Sequence, residues 1–207
     1  MKSFKIIFFT LLVAGTGLWA NAQDQKLTLN LNYSVNSPVG NFKSNLVNNT
    51  SWRGWNANLL YNVNHQFSAG LETGFNDFHQ KFPREVYPTK GGGSISAVLS
   101  NSIQTVPLMV KGRYTLLPTG LIQPYVGLGI GGNIVSFNQY LGEFSSTQKT
   151  GFYFASSPEA GISVPFQKNG SSAFTLGGKY NIMPFHYDGN KNLDNWGVYA
   201  GIKFTIR

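Results

Sequence analysis

From Leu27 to Ile206 the chain alternates apolar and polar residues in run after run, and the apolar positions of each run carry no charge. A period of two is the period of a strand, because successive side chains leave a sheet on opposite faces. The first run sets Leu27, Leu29, Leu31, Tyr33 and Val35 against Thr28, Asn30, Asn32 and Ser34. Trp55–Asn64, Ser68–Phe75, Leu108–Leu116, Tyr125–Gly131, Glu159–Phe166, Phe174–Ile182 and Val198–Ile206 repeat the pattern, which makes eight predicted strands. Beyond the first residues no window shows the i, i+3, i+4, i+7 spacing of an amphipathic helix, so the chain reads as all-β.

The connections alternate in length. Asn36 to Ser51, His79 to Ser102, Asn138 to Thr150 and His186 to Asn195 are long; the turns near His65, at Pro118-Thr119-Gly120 and at Gln167 to Ser172 are short. Barrels of the outer membrane have this rhythm, with short periplasmic turns and long outer loops. A soluble sandwich has no reason to sort its loops this way.

The two faces decide what the barrel meets. A water-facing side carries dense Lys and Glu, yet charged residues make up 12% of this chain against about 25% in soluble domains. Aromatics reach 14%. They gather near strand ends as Trp52, Trp55, Phe67, Tyr114, Phe137, Tyr140, Phe152, Phe154, Phe166, Phe174, Phe185 and Trp196, the expected interfacial girdles. The expected fold is an eight-stranded antiparallel up-and-down transmembrane β-barrel with its apolar face on lipid. The soluble alternative is a lipocalin-like barrel with the faces reversed.

The N-terminus reads as a secretory signal peptide: Lys2 and Lys5, an apolar run from Ile6 to Ala14, then the small-residue site Ala20-Asn21-Ala22. Residues 1–22 are expected to be removed, leaving 23–207 as the barrel domain. Without Lys2 and Lys5 the chain keeps fourteen basic and eight acidic side chains, a net charge of +6. These charges are scattered and form no Lys/Arg cluster, so no nucleic-acid partner is expected. With no cysteine there is neither a disulfide framework nor a thiolate metal site.

Several stretches resemble the small eight-stranded outer-membrane barrels of Gram-negative bacteria, the OmpA-like and PorT-like β-barrel domains. They are the leader ending ANAQ, the first-strand exit Asn36 to Phe42, Val106 to Tyr114, Gln123 to Gly132 and the terminal Gly201 to Arg207. The resemblance spans the mature chain and implies outer-membrane location, the barrel-insertion machinery as a folding partner, and likeness to the membrane part of OmpA alone. One departure is the ending Phe204-Thr205-Ile206-Arg207, where such barrels usually finish on an aromatic.

If the apolar faces meet lipid, strand parity sends Glu72, Lys111, Arg113, Glu159, Lys179 and Lys203 inward. Buried charges persist only when paired. A hairpin centred on Asn169 sets Glu159 opposite Lys179 and predicts an ion pair there, with Glu72, Lys111 and Arg113 as a second cluster.

The stretch GLGIGG, with Gly127, Gly129 and Gly132, matches a dinucleotide-binding pattern. That reading needs a helix at the glycines and an acidic residue about 20 positions on. Asn-Ile-Val-Ser-Phe follows instead, and Glu143 and Glu159 sit at the wrong offsets. Gly127, Gly129 and Gly131 are expected as an inward stripe making room for long cations, with Gly127 near Lys111 and Tyr125 near Arg113.

Chemistry finds little footing. His186, Tyr187, Asp188 and Asp194 have no serine nearby, and His65 and His79 are isolated from other ligands, so no catalytic residue, metal or cofactor is assigned. The loop bearing Lys81, Arg84, Tyr87 and Lys90 has the composition to meet lipopolysaccharide. The expected function is that of a monomeric integral outer-membrane protein with a structural or surface-interaction role and a plugged, charged interior. A narrow porin-like channel for small solutes is the alternative, and a lipid-modifying enzyme a lesser one.

Overall fold

The computed structural model describes residues 27–88, 92–142, 144–167, 170–187 and 190–206. The expected signal peptide, Lys90 and Asp188 lie outside the described residues. The elements in chain order are β1 (Leu27–Pro38), α1 (Gly40–Asn45), β2 (Ser51–Asn62), β3 (Phe67–Pro88), β4 (Ser94–Thr115), β5 (Gln123–Leu141), β6 (Phe144–Pro165), β7 (Ser172–Asn181), β8 (Pro184–Tyr187), β9 (Asn190–Asn192) and β10 (Asn195–Ile206). Among the described residues eight of these strands, β1 to β7 and β10, close an antiparallel barrel. Each strand pairs with its neighbour in sequence, and β1 meets β10 from Leu27↔Ile206 to Pro38↔Asn195. β8 and β9 form a separate small hairpin.

Closure leaves no open edge through the lipid band, where an unpaired N–H or C=O has no water to bond. The parity read from sequence then sorts the faces. Leu31, Leu59, Leu71, Leu108, Val110, Leu128, Ile130 and Val198 are exposed on the outside. Inside, Asn30, Asn32, Asn56, Asn58 and Thr175 are buried, and three of them are bonded in series: Asn32 Nδ2 donates to Asn56 Oδ1 at 2.8 Å and Thr175 Oγ1 to Asn32 Oδ1 at 2.8 Å.

Three expectations need correction. The segments His79–Ser102 and Asn138–Thr150, expected as loops, are largely strand: His79↔Ser102 through Pro88↔Ser94 continues the β3–β4 ladder, and Asn138↔Gln148 the β5–β6 ladder. Polar pairs such as Lys81↔Ser100 and Gln139↔Thr147 break the apolar alternation there, which hides the strands from a period-two reading. Secondly, the connection after β1 holds a short helix, α1, entered through Gly40 at φ 56°. Six residues are too few to leave a periodic signal, and Phe42 alone is buried from it.

Thirdly, Phe137 and Phe185 belong to no girdle. Both are buried, together with Phe42, Val47, Phe78, Ile103, Val135, Met183 and Leu193, in an apolar plug. Phe137 shares the inward parity of Gly127, Gly129 and Gly131, and Phe185 lies on β8. Trp52, Trp55, Phe67, Tyr114, Phe152, Phe166 and Trp196 do stand exposed.

Leu71, 62% exposed on the lipid face, gives a direct check. Leu71→Arg is expected to lower folding stability in lipid vesicles, measured by urea titration, by about 2–4 kcal/mol if it sits near the bilayer centre. Thr73→Ser, on the same face, is expected to leave the midpoint nearly unchanged.

Candidate functional site

The inward charges do not form the two groups that sequence spacing suggests; five of them make one chain across the lumen. Lys179 Nζ lies 3.3 Å from Glu72 Oε1, Glu72 Oε2 pairs with Lys111 Nζ, Lys111 Nζ lies 2.6 Å from Glu159 Oε2, and Glu159 Oε1 lies 3.1 Å from Arg113 Nη2. In the order of the barrel, β7 and β3 stand on opposite walls, so the Lys179–Glu72 contact spans the interior. All five residues are at least nine-tenths buried.

Register places Glu159 opposite Lys179, as expected, but among the described residues the two make no ion pair. Glu159 is already engaged by Lys111 and Arg113, which leaves Lys179 for Glu72. A barrel of eight strands is narrow enough for long side chains to reach past their neighbours to the far wall. Lys203 stands apart from the chain, its Nζ donating to Gln123 Oε1 at 3.3 Å.

Residues that carried no charge complete the belt. Lys111 Nζ also donates to Asn58 Oδ1 at 3.3 Å, and Arg113 Nη1 to Asn30 Oδ1 at 3.3 Å. The guanidinium of Arg113 lies 4.2 Å from the centre of the Tyr125 ring. The hydroxyls of Tyr125 and Tyr199 are 2.9 Å apart, and Tyr199 donates to Glu159 Oε2 at 3.0 Å. Sequence reasoning gave Tyr199 no role, although its place among the polar positions of β10 was the available signal.

The glycine stripe is inward, but its register is shifted by two residues from the expected one: Gly127 faces Arg113, Gly129 faces Lys111 and Gly131 faces Met109. The turn from Leu116 to Ile122 is not centred on Thr119, and Leu116 N donates to Pro124 O at 2.8 Å. A Cβ on Gly127 would lie 2.8 Å from Glu159 Oε1 and one on Gly129 3.1 Å from Met109 Sδ. The missing side chains therefore accommodate Glu159 and Met109 rather than the cations.

Above the belt the apolar plug closes the outer half. Phe42 meets Phe78 edge to face at 5.0 Å, and Tyr153 meets Phe185 at 4.9 Å. Val39 N donates to Asp194 O at 3.0 Å, tying the first outer connection to the last. Asp194 Oδ1 accepts from Met183 N at 2.8 Å, a structural bond. Lys81 and Arg84 are exposed and Tyr87 half-buried on the β3–β4 hairpin. No group of three His, Cys, Asp or Glu positioned for a metal occurs among the described residues.

A polar lumen crossed by ion pairs inside a closed barrel with an apolar outer face defines the class, a small outer-membrane barrel. The family model described as outer membrane protein beta-barrel domain matches residues 7–204, and the chain belongs to that family. Its place is the cell outer membrane. Two solved structures share the fold. Neisserial surface protein A is 10% identical, with a TM-score of 0.52, covering 87% of this chain and 96% of its own. OprG of Pseudomonas aeruginosa is 12% identical, with a TM-score of 0.52, covering 89% and 97%. No curated protein sequence matches the chain.

The belt makes two predictions. Glu72→Gln leaves Lys179 without a carboxylate and Lys111 with Glu159 alone, and is expected to cost about 3–5 kcal/mol of stability, since breaking a buried pair leaves uncompensated charge; urea unfolding in vesicles measures it. Gly127→Leu is expected to cut the folded yield, seen as loss of the heat-modifiable band, whereas Gly129→Ala meets only a movable Met109 side chain and is expected to fold.

Proposed function

We propose that the protein is a non-conducting, non-enzymatic outer-membrane barrel whose role lies in the sheet it raises above the membrane. The observation that carries the first half is the ion-pair chain from Lys179 to Arg113, which crosses the lumen beneath a second, apolar closure. A solute would have to separate both. Opening the belt leaves buried charges unpaired, which costs several kcal/mol.

The second half rests on strand length. β3, β4 and β6 have 22 residues and β5 has 19, whereas β1, β2 and β10 have 12 and β7 has 10. Ten further residues are roughly 30 Å of additional strand. One half of the wall thus continues as a four-stranded sheet bearing Lys81, Arg84 and Tyr87. Exposed cations of this kind suit the phosphates of lipopolysaccharide. The protein works as a monomer inserted by the barrel-insertion machinery.

In planar bilayers the wild-type protein is expected to give no conductance steps; reproducible steps would favour the narrow channel. Deleting Lys81 to Gly93 is expected to abolish retention on immobilised lipopolysaccharide while the barrel still folds, and unchanged retention would remove that surface role.

A further inference from the structure

The periplasmic mouth of the barrel is a cavity of about 460 Å³ whose lining includes Arg113, Lys203, Ser163 and Gln123, and no aspartate or glutamate. It lies at the end where β1 begins, β10 ends and the short turns gather, with Thr28, His65, Thr119 and Thr205 around it. Both closures stand on its far side, so it is reached from the periplasm whether or not the barrel conducts.

Three features of this mouth call for an anion. The first is charge: Glu72, Glu159, Lys111, Arg113, Lys179 and Lys203 together carry +2. Of the four cations, Lys203 alone has no carboxylate within ion-pair distance among the described residues, only the neutral Gln123. Water can satisfy its N–H groups but leaves the excess charge in a wall surrounded by lipid.

The second feature is unused hydrogen-bonding capacity. Arg113 is 6% exposed, and its Nη1 and Nη2 are engaged, yet its Nε has no partner. Ser163 is 3% exposed and its hydroxyl has no partner either. A buried donor without a partner destabilises the fold until something accepts from it, and these two residues line the same cavity as Lys203.

The third is that the carboxylate bonded to Arg113 cannot meet the need. Glu159 Oε1 is held by Arg113, and Oε2 by Lys111 and Tyr199. A guanidinium, an ammonium and a hydroxyl in the lining of one cavity form the donor set that matches a phosphate-type oxyanion.

We propose that the periplasmic mouth binds one phosphate-type oxyanion between Arg113, Lys203 and Ser163. The ion neutralises the excess charge of the belt from the periplasmic side. Its source is either free phosphate or the phosphate of a periplasmic-leaflet headgroup, since both offer the same oxygens.

The test is calorimetric titration of the full folded chain, in an uncharged maltoside detergent at constant ionic strength, with inorganic phosphate and separately with glycerophosphoethanolamine. Saturable one-to-one binding of phosphate is expected. Lys203→Gln is expected to weaken it about tenfold, the loss of one charge-assisted contact. Ser163→Ala is expected to weaken it less, and Lys43→Gln, exposed on α1 at the opposite end of the barrel, not at all. Heat-modifiable migration establishes that each variant is folded. Binding of phosphate alone assigns the site to free phosphate, and binding of both ligands to a headgroup. Non-saturating heats with wild type, or unchanged affinity in both folded Lys203→Gln and Ser163→Ala, would overturn the proposal.

Discussion

Everything in this protein follows from the requirement that no backbone N–H or C=O remain unpaired in hydrocarbon. Twelve consecutive pairs between β1 and β10 meet it by joining the first strand to the last. Once the sheet is closed, each residue has one of two addresses, lipid or lumen, assigned by parity. The lumen must then accept every polar side chain the strands send to it. Asparagine suits that position because it donates and accepts at once: Asn32 donates to Asn56 and accepts from Thr175, and Asn76 accepts from Asn36 and donates to Thr105.

Charge is the harder guest. Two carboxylates and three cations share one continuous chain, so that each carboxylate oxygen meets a cation. Continuity matters because a buried charge left alone is far costlier than a pair. It also accounts for the glycines. Gly127 gives Glu159 the space to turn towards Arg113 and Lys111. A pattern that in another fold would cradle a nucleotide here clears the way for a carboxylate.

The upper half is built differently. Its lumen is filled by Phe42, Phe78, Phe137 and Phe185, a core like that of a soluble protein set on top of a polar one. The change coincides with the region where β3 to β6 rise beyond their shorter neighbours. Outer connections fold back to supply Phe42, Met183, Phe185 and Leu193, which gives the short outer segments a fixed place.

The sequence alone determined the strand number, the parity of each strand and therefore the inward set of charges, because alternation with a period of two is a local property. It could also have assigned Phe137 to the lumen, had the parity of Gly127 to Gly131 been carried six residues further. Tertiary structure alone decided which cation meets which carboxylate. Partners such as Glu72 and Lys179 are 107 residues apart and stand on opposite walls, so their meeting depends on the barrel's diameter and stagger. The two-residue shift between Gly127 and Arg113 has the same origin: the turn after β4 sets register by its own hydrogen bonds, which counting along the strands does not reveal. The ends of β3 to β6 were equally hidden, since polar pairs such as Lys81↔Ser100 and Gln139↔Thr147 interrupt the alternation that marks the rest of these strands.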